Sequence, residues 1–138
     1  MKIASRSLAE LLDTRIPPLP HSTIIIPVPT ASTHIRERGY DHTLLIAQHF
    51  AHLRGLQMNS KLVGRRHTKT QHSANRADRI RQAVSAFQLQ DKVDRSVPYL
   101  IIDDVVTTGS TIQGVARLLS GAGVGRVWVG ALARQPLD

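Results

Sequence analysis

The 138-residue sequence contains no cysteine. Disulfide bonds, zinc–thiolate sites and a covalent thiol mechanism are therefore excluded. Aromatic residues make up only 4% of the chain, which argues against the stacking platform that binds single-stranded nucleic acids. No apolar run reaches the length of a transmembrane helix, and residues 1–20 carry charges where a signal peptide would be apolar. We therefore expect a cytoplasmic protein without a membrane partner.

Positive charge is in excess, and much of it is local. The formal net charge is +8, and positions 65–81 carry six basic residues against one acidic residue. Such a field attracts polyanions, but charge alone leaves open whether the partner is a pyrophosphate, RNA or DNA. The length predicts a single domain over residues 1–138, in which residues 1–20 form an N-terminal lid or packing segment.

The most informative stretch runs from Leu100 to Thr111. Its apolar start predicts a strand buried on both faces, as in the centre of a parallel sheet. Asp103 and Asp104 follow at the carboxyl end of that strand, where open α/β sheets bind their ligands. The next residues open a helix whose N-terminus attracts phosphate, and they are Thr107, Thr108, Gly109, Ser110 and Thr111. The alternative is an ordinary capped turn, which explains one hydroxyl residue but not two carboxylates and four hydroxyls.

Strand and helix patterns alternate along the chain. Apolar and β-branched runs predict strands at 23–28, 61–63, 86–89, 98–102 and 126–132, and helical spacing predicts helices at 1–12, 41–54 and 110–119. Asp41 and Gly55 supply the start and stop signals of the second helix. This alternation predicts an α/β fold with a Rossmann-like open parallel sheet, interrupted by a polar, basic loop at 64–83.

A second polar group follows the first predicted strand. Pro27-Val28-Pro29 is followed by Thr30 and Ala31, and then by Arg36 and Arg38. Loops after neighbouring parallel strands lie side by side, so these residues should face the acidic pair. The loop and its two forked guanidinium groups would then bind a pyrophosphate. The alternative is that Arg36 and Arg38 are solvated surface residues on either side of a glutamate.

The acidic pair and the loop after it resemble the phosphoribosyl pyrophosphate (PRPP) signature of type I phosphoribosyltransferases. The resemblance implies that the two aspartates address the ribose hydroxyls and that the loop wraps the 5′-phosphate. It also implies Mg²⁺ as cofactor, held indirectly by Asp103 and Asp104. The implied PRPP-binding residues are Asp103, Asp104, Val105, Thr107, Thr108, Gly109, Ser110 and Thr111.

Further motifs narrow the resemblance to the competence protein F (ComF) branch of these proteins. They are Pro27-Val28-Pro29, Arg36 to Tyr40, the basic segment with Arg66, Lys69, Gln71, Arg76 and Arg79, and Ala86-Phe87. The resemblance implies that residues 64–83 close over PRPP as a flexible loop in which Arg66, Lys69 or Arg76 balances the leaving pyrophosphate. A basic loop that binds any acidic partner is an equal alternative. The sequence departs from the branch in lacking its zinc-binding cysteine segment, and in Asp41-His42 where Asn-Gln is usual.

The resemblance leaves two functions open. The first is a PRPP-dependent phosphoribosyltransferase that transfers the phosphoribosyl group to an unidentified nitrogen acceptor and releases pyrophosphate. Thr107 stands where 6-oxopurine enzymes typically have an aspartate, which argues against hypoxanthine or guanine as that acceptor. The second is a non-catalytic module that binds PRPP or a nucleotide, or assists DNA uptake, with nucleic acid bound through the basic loop. A homodimer is also implied by the family.

Overall fold

The computed structural model describes residues 2–31, 35–36, 39–66, 75, 77–78, 86–106 and 109–134. The helices within these ranges are α1 (Lys2–Arg15), α2 (His42–Arg54) and α3 (Ser110–Gly121). The strands are β1 (Ile24–Pro27), β2 (Gln57–Met58), β3 (Val63–Arg65), β4 (Phe87–Leu89), β5 (Tyr99–Val106) and β6 (Val127–Arg134).

The main sheet has four parallel strands in the order β2-β1-β5-β6. Strands β3 and β4 form a separate antiparallel ribbon, in which Arg65 pairs with Phe87. The predicted α/β fold with an open parallel sheet is therefore confirmed. Several details differ from the sequence-based expectation. Strand β2 was not predicted, and β5 continues through the acidic pair to Val106 because its residues keep pairing with β6. The predicted loop at 64–83 begins too early, because Gly64 and Arg65 lie in β3 and pair with Gln88 and Phe87.

The central strand β5 is buried from both sides. Tyr99 and Ile101 join a core that includes residues of α3 and the ribbon, whereas Leu100 and Ile102 join a core formed with α1 and α2. Each of these four side chains is at most 1% exposed. This double burial explains why the strand is a continuous apolar run rather than an alternating one.

Helix α2 has both of the end signals that the sequence predicts. The Asp41 side chain accepts a hydrogen bond from the Leu44 N–H at 3.1 Å, which satisfies a free donor of the first turn. Gly55 ends the helix with φ of 63°, in the left-handed region that glycine adopts without a steric penalty. The helix therefore begins directly after the loop that follows β1.

Helix α1 packs on the same face of the sheet as α2. Ala9 and Leu12 are buried there, and Arg54 of α2 ties down the carboxyl end of α1. Its guanidinium donates to the backbone oxygens of Asp13 (3.1 Å), Pro17 (3.0 Å) and Ile16, pairs with the Asp13 carboxylate, and lies 5.0 Å from the centre of the Phe50 ring. In the described part of the chain, no helix has the length and apolar character needed to cross a membrane.

Candidate ligand site at the carboxyl end of the sheet

A step in the sheet marks the candidate site. Strand β1 pairs with β5 as far as Pro27 opposite Ile102, and the Val28 N–H then donates to the Ile102 carbonyl at 2.9 Å. Beyond that point β5 continues with β6 as its partner, through Asp103 opposite Ala131 to Val106 opposite Arg134. The acidic pair therefore lies where β1 leaves the sheet, a place where open α/β sheets form a ligand crevice.

Within the acidic pair, the negative charge of the Asp103 carboxylate is unfavourable in its surroundings. Asp103 is partly buried, and its carboxylate accepts a hydrogen bond from the Asp104 N–H at 2.9 Å. Burial is the main reason that the pKa of Asp103 is raised to about 7, and the neighbouring Asp104 carboxyl raises it further, against the opposing effect of Arg65. A perturbed carboxyl in a crevice is typical of a functional site, because a bound cation or a hydroxyl donor relieves its cost.

Arg65, at the end of β3, joins three parts of this site. Its Nε donates to the Pro29 carbonyl at 2.7 Å, and its guanidinium carbon lies 4.9 Å from the centre of the Phe87 ring. Arg65 is exposed as a whole residue, but partial burial of its guanidinium lowers its pKa, while the charge of Asp103 acts in the opposite direction. By sequence alone, Arg65 is one of the residues of the basic segment and has no place in the predicted site. The sequence carries no signal for this role, because the predicted strand ends at residue 63 and the pairing of Arg65 with Phe87 is seen only in the structure.

The loop after β1 is tied to the start of α2. The Thr30 hydroxyl donates to the Asp41 carboxylate at 2.9 Å, and that same oxygen caps the helix. The predicted pyrophosphate residues Thr30 and Ala31 are therefore next to the step in the sheet. Arg36 is exposed, and Arg38 lies outside the described residues.

The predicted phosphate loop is described from Gly109 onward. Gly109 has φ of 80°, and its carbonyl accepts the Gln113 N–H at 2.9 Å as α3 begins. Ser110 and Thr111 lie in the first turn of α3, where the positive end of the helix dipole favours an anion. Thr107 and Thr108 lie outside the described residues, as do Lys69, Gln71 and Arg76, and the side chain of Val105 is not described. Arg66 is exposed beyond the ribbon, and its N–H donates to the Ala86 carbonyl at 2.7 Å.

The sequence is similar to known bacterial proteins. No protein-family model matches the chain. The sequence is 37% identical over 121 residues to DNA utilization protein YhgH of Salmonella typhi, covering 86% of this chain and 53% of that protein. It is 34% identical over 114 residues to competence protein F of Haemophilus influenzae, covering 80% and 49%. The chain thus spans about half the length of the curated relatives it matches.

Two solved structures share the fold. A purine phosphoribosyltransferase from Pyrococcus horikoshii aligns with a TM-score of 0.51 at 19% identity, over 96% of this chain and 71% of that one. A hypoxanthine phosphoribosyltransferase from Staphylococcus aureus aligns with a TM-score of 0.52 at 12% identity, over 99% and 66%. The chain is a ComF homologue with a type I phosphoribosyltransferase fold. In this ComF-like domain, the step beside β5 lies at the carboxyl end of the parallel sheet.

Proposed function

We propose that this ComF-like domain binds PRPP in the crevice between the loop after β1 and the end of β5. The observation that carries the proposal is the partly buried Asp103–Asp104 pair at the step in the sheet, shortly before α3 in the chain. The pair would accept hydrogen bonds from the ribose hydroxyls, and the turn at Gly109 would bind the 5′-phosphate through backbone N–H groups. The loop at Thr30 and Ala31 would bind the pyrophosphate.

The reaction that this site supports is transfer of the phosphoribosyl group to a nitrogen acceptor. A nitrogen lone pair forms a bond to the anomeric carbon as the bond from that carbon to pyrophosphate oxygen breaks. Pyrophosphate leaves with the electron pair, and the acceptor then loses a proton. The sugar gains positive charge on the way, so the carboxylates of Asp103 and Asp104 would stabilise it, while the loops hold the phosphates in line. This route needs no nucleophile from the protein.

The acidic pair also fits Mg²⁺. Carboxylate oxygens are ligands that this ion prefers, and the raised pKa of Asp103 indicates a place where added positive charge is favourable. The described ranges contain no cluster of three or more potential ligand side chains, so Asp103 and Asp104 would hold the ion together with water or ligand oxygens. When bound, Mg²⁺ would neutralise charge on the departing pyrophosphate.

Titration calorimetry tests this proposal. PRPP is added to the protein with and without Mg²⁺, beside the Asp103→Asn/Asp104→Asn double variant and an Asp91→Asn control, which neutralises an exposed carboxylate in the turn after β4. We expect binding with a Kd of about 1–100 μM that needs Mg²⁺, is lost in the double variant and is kept in the control. Absence of binding to the wild-type protein would refute the proposal. Pyrophosphate release with a panel of nitrogen bases and ammonia then tests turnover.

The second candidate is a non-catalytic accessory role in DNA uptake or use. Its specific support is the names of the relatives, a DNA utilization protein and a competence protein, together with the basic segment that follows β3. A protein that neutralises DNA phosphates loses affinity steeply as salt rises, and replacing Arg65, Arg66 and Lys69 should flatten that slope. An unchanged slope would exclude nucleic-acid binding by this segment.

A cytoplasmic location and a homodimer also stay predictions. Sedimentation would test the homodimer.

A further inference from the structure

The loop after β1 is held by side chains on two sides. Ile25 bonds to the β2 side and Val28 to the β5 side, so Pro27, the last residue of β1, and Pro29 stand in the alternation on the β2 side. Because proline lacks an N–H, regular pairing cannot be extended on that side. Instead, Arg65 of the ribbon donates to the Pro29 carbonyl, and the Thr30 hydroxyl donates to Asp41 at the start of α2. The next residues are those proposed to bind pyrophosphate, so the conformation of their backbone matters for binding.

We propose that Arg65 is a positioning residue, which holds the loop after β1 in its ligand-binding conformation beside Asp103. The identity of the ligand rests on the proposed function, whereas the restraint of the loop by Arg65 does not depend on it. Arg65 suits this task because its guanidinium carbon lies over the Phe87 ring, 4.9 Å from the ring centre, and this contact restricts the side chain. A planar group held in this way directs its Nε–H at one carbonyl with little loss of side-chain freedom on binding.

The restraint explains why an arginine at the end of β3 is oriented toward the main sheet. The Pro29 carbonyl is an acceptor on a loop that has left the sheet, and a cationic donor at 2.7 Å makes a stronger hydrogen bond with it than a neutral donor would. Without that bond, the loop would sample more conformations, and ligand binding would have to order it. Preorganisation of this kind changes affinity without adding a contact to the ligand.

The test compares Arg65→Met with the wild-type protein and with Arg117→Met, which removes an exposed arginine from α3. Calorimetry measures the binding of PRPP, pyrophosphate and ribose 5-phosphate at about pH 9. At this pH the Asp103 carboxyl is ionised, because its pKa is about 7. We expect Arg65→Met to lower the affinity for PRPP and for pyrophosphate about tenfold. The affinity for ribose 5-phosphate should stay within about twofold of the wild-type value. Equal weakening of all three compounds would indicate general damage to the site and would overturn the proposal.

A second measurement needs no ligand. In the free wild-type protein, we expect NMR order parameters of about 0.85 for the Thr30 and Ala31 amides, falling below about 0.6 in Arg65→Met. Weaker pyrophosphate binding with unchanged order parameters would mean that Arg65 contacts the ligand directly, which overturns the positioning role. If the wild-type protein bound none of the compounds, the proposed function would fail. The order parameters would still decide whether Arg65 holds the loop.

Arg65→Lys separates charge from geometry. Lysine keeps the positive charge near Asp103 but lacks the Nε–H and the planar group that stacks on Phe87. We expect it to lose pyrophosphate affinity and loop order as Arg65→Met does. Wild-type affinity and order parameters in Arg65→Lys would show that charge alone is sufficient, and the positioning role would be wrong. Because lysine keeps the size and polarity of the side chain, this variant also guards against a failure of Arg65→Met to fold.

Discussion

Asp103→Asn should stabilise the ligand-free protein while it removes a residue proposed for ligand binding. A carboxyl whose pKa rises from 3.8 to about 7 on folding binds its proton more tightly in the folded state. Its contribution is therefore most favourable below about pH 4 and is lost as pH rises through about 7. At about pH 8 the folded protein carries an ionised carboxylate that is partly buried beside Asp104, and asparagine removes that cost.

The magnitude follows from the size of the pKa change. About three pH units at about 1.4 kcal/mol each give about 4 kcal/mol as an upper limit at pH 8. Asp103 is only partly buried, and asparagine loses the attraction to Arg65, so we expect a gain of about 1–2 kcal/mol in the free energy of unfolding. The assay is urea denaturation at about pH 8 and again at about pH 4.5. At the lower pH the folded wild-type carboxyl is protonated but the unfolded one is still largely ionised, so the gain should fall to about a quarter of its value at about pH 8.

Asp94→Asn is the matched control for this prediction. Hydrogen bonds from the Ser96 side chain and then from its backbone N–H lower the pKa of Asp94, so folding favours its ionised form. The contribution of Asp94 is present above its unfolded pKa and is lost as pH falls. Its replacement should therefore destabilise the protein at about pH 8, with a smaller effect in acid. A gain for Asp103→Asn of equal size at both pH values, or a loss at about pH 8, would refute the reasoning.

Three further changes test the packing that supports the site, each by urea denaturation at neutral pH. Arg54→Met should cost about 2–3 kcal/mol, because it leaves Asp13 and the carbonyls at the end of α1 without their donor; a cost below about 0.5 kcal/mol would contradict this role. Thr23→Val should raise the free energy of unfolding by about 1 kcal/mol, because the buried Thr23 hydroxyl makes no hydrogen bond. A lower free energy of unfolding would mean that the hydroxyl has a partner. Gly55→Ala should cost about 1 kcal/mol at its positive φ, whereas Gly121→Ala, at a φ outside that range, should not.

The fold could be predicted from the sequence where local chemistry and burial agree. Asp41 and Gly55 place both ends of α2, and the apolar run before the acidic pair places the central strand. Strand β2 could not be predicted, because the two residues Gln57 and Met58 carry no strand signal and pair only by lying beside β1. The extension of β5 through its aspartates likewise depends on pairing with β6, which sequence propensity does not contain.

The candidate site could be predicted in outline, but its internal contacts could not. The alternation of strands and helices predicts that the loop after β1 faces Asp103, and in the structure Asp103 directly follows Ile102, the partner of the last residue of β1. A count of charges, however, treats Arg65 and Arg66 alike. Both residues are exposed, and the structure separates them by their contacts. The Arg65 side chain lies over the Phe87 ring and donates to the Pro29 carbonyl, whereas Arg66 bonds to Ala86 through its backbone N–H. That difference arises from the register of the β3–β4 ribbon, which pairs Arg65 with Phe87.

The pairing of β1 with β5 has a consequence for how the protein folds. Ile24 pairs with Tyr99, 75 positions later in the chain, so the centre of the sheet forms only after a long loop closes. During synthesis, the Ile24–Ile26 run emerges well before its partner and exposes apolar, β-branched residues in the meantime. Parallel pairing over such distances is intrinsically slow. The crevice between these two strands should therefore be among the last parts of the molecule to form, and it should be lost in any fragment that lacks either strand.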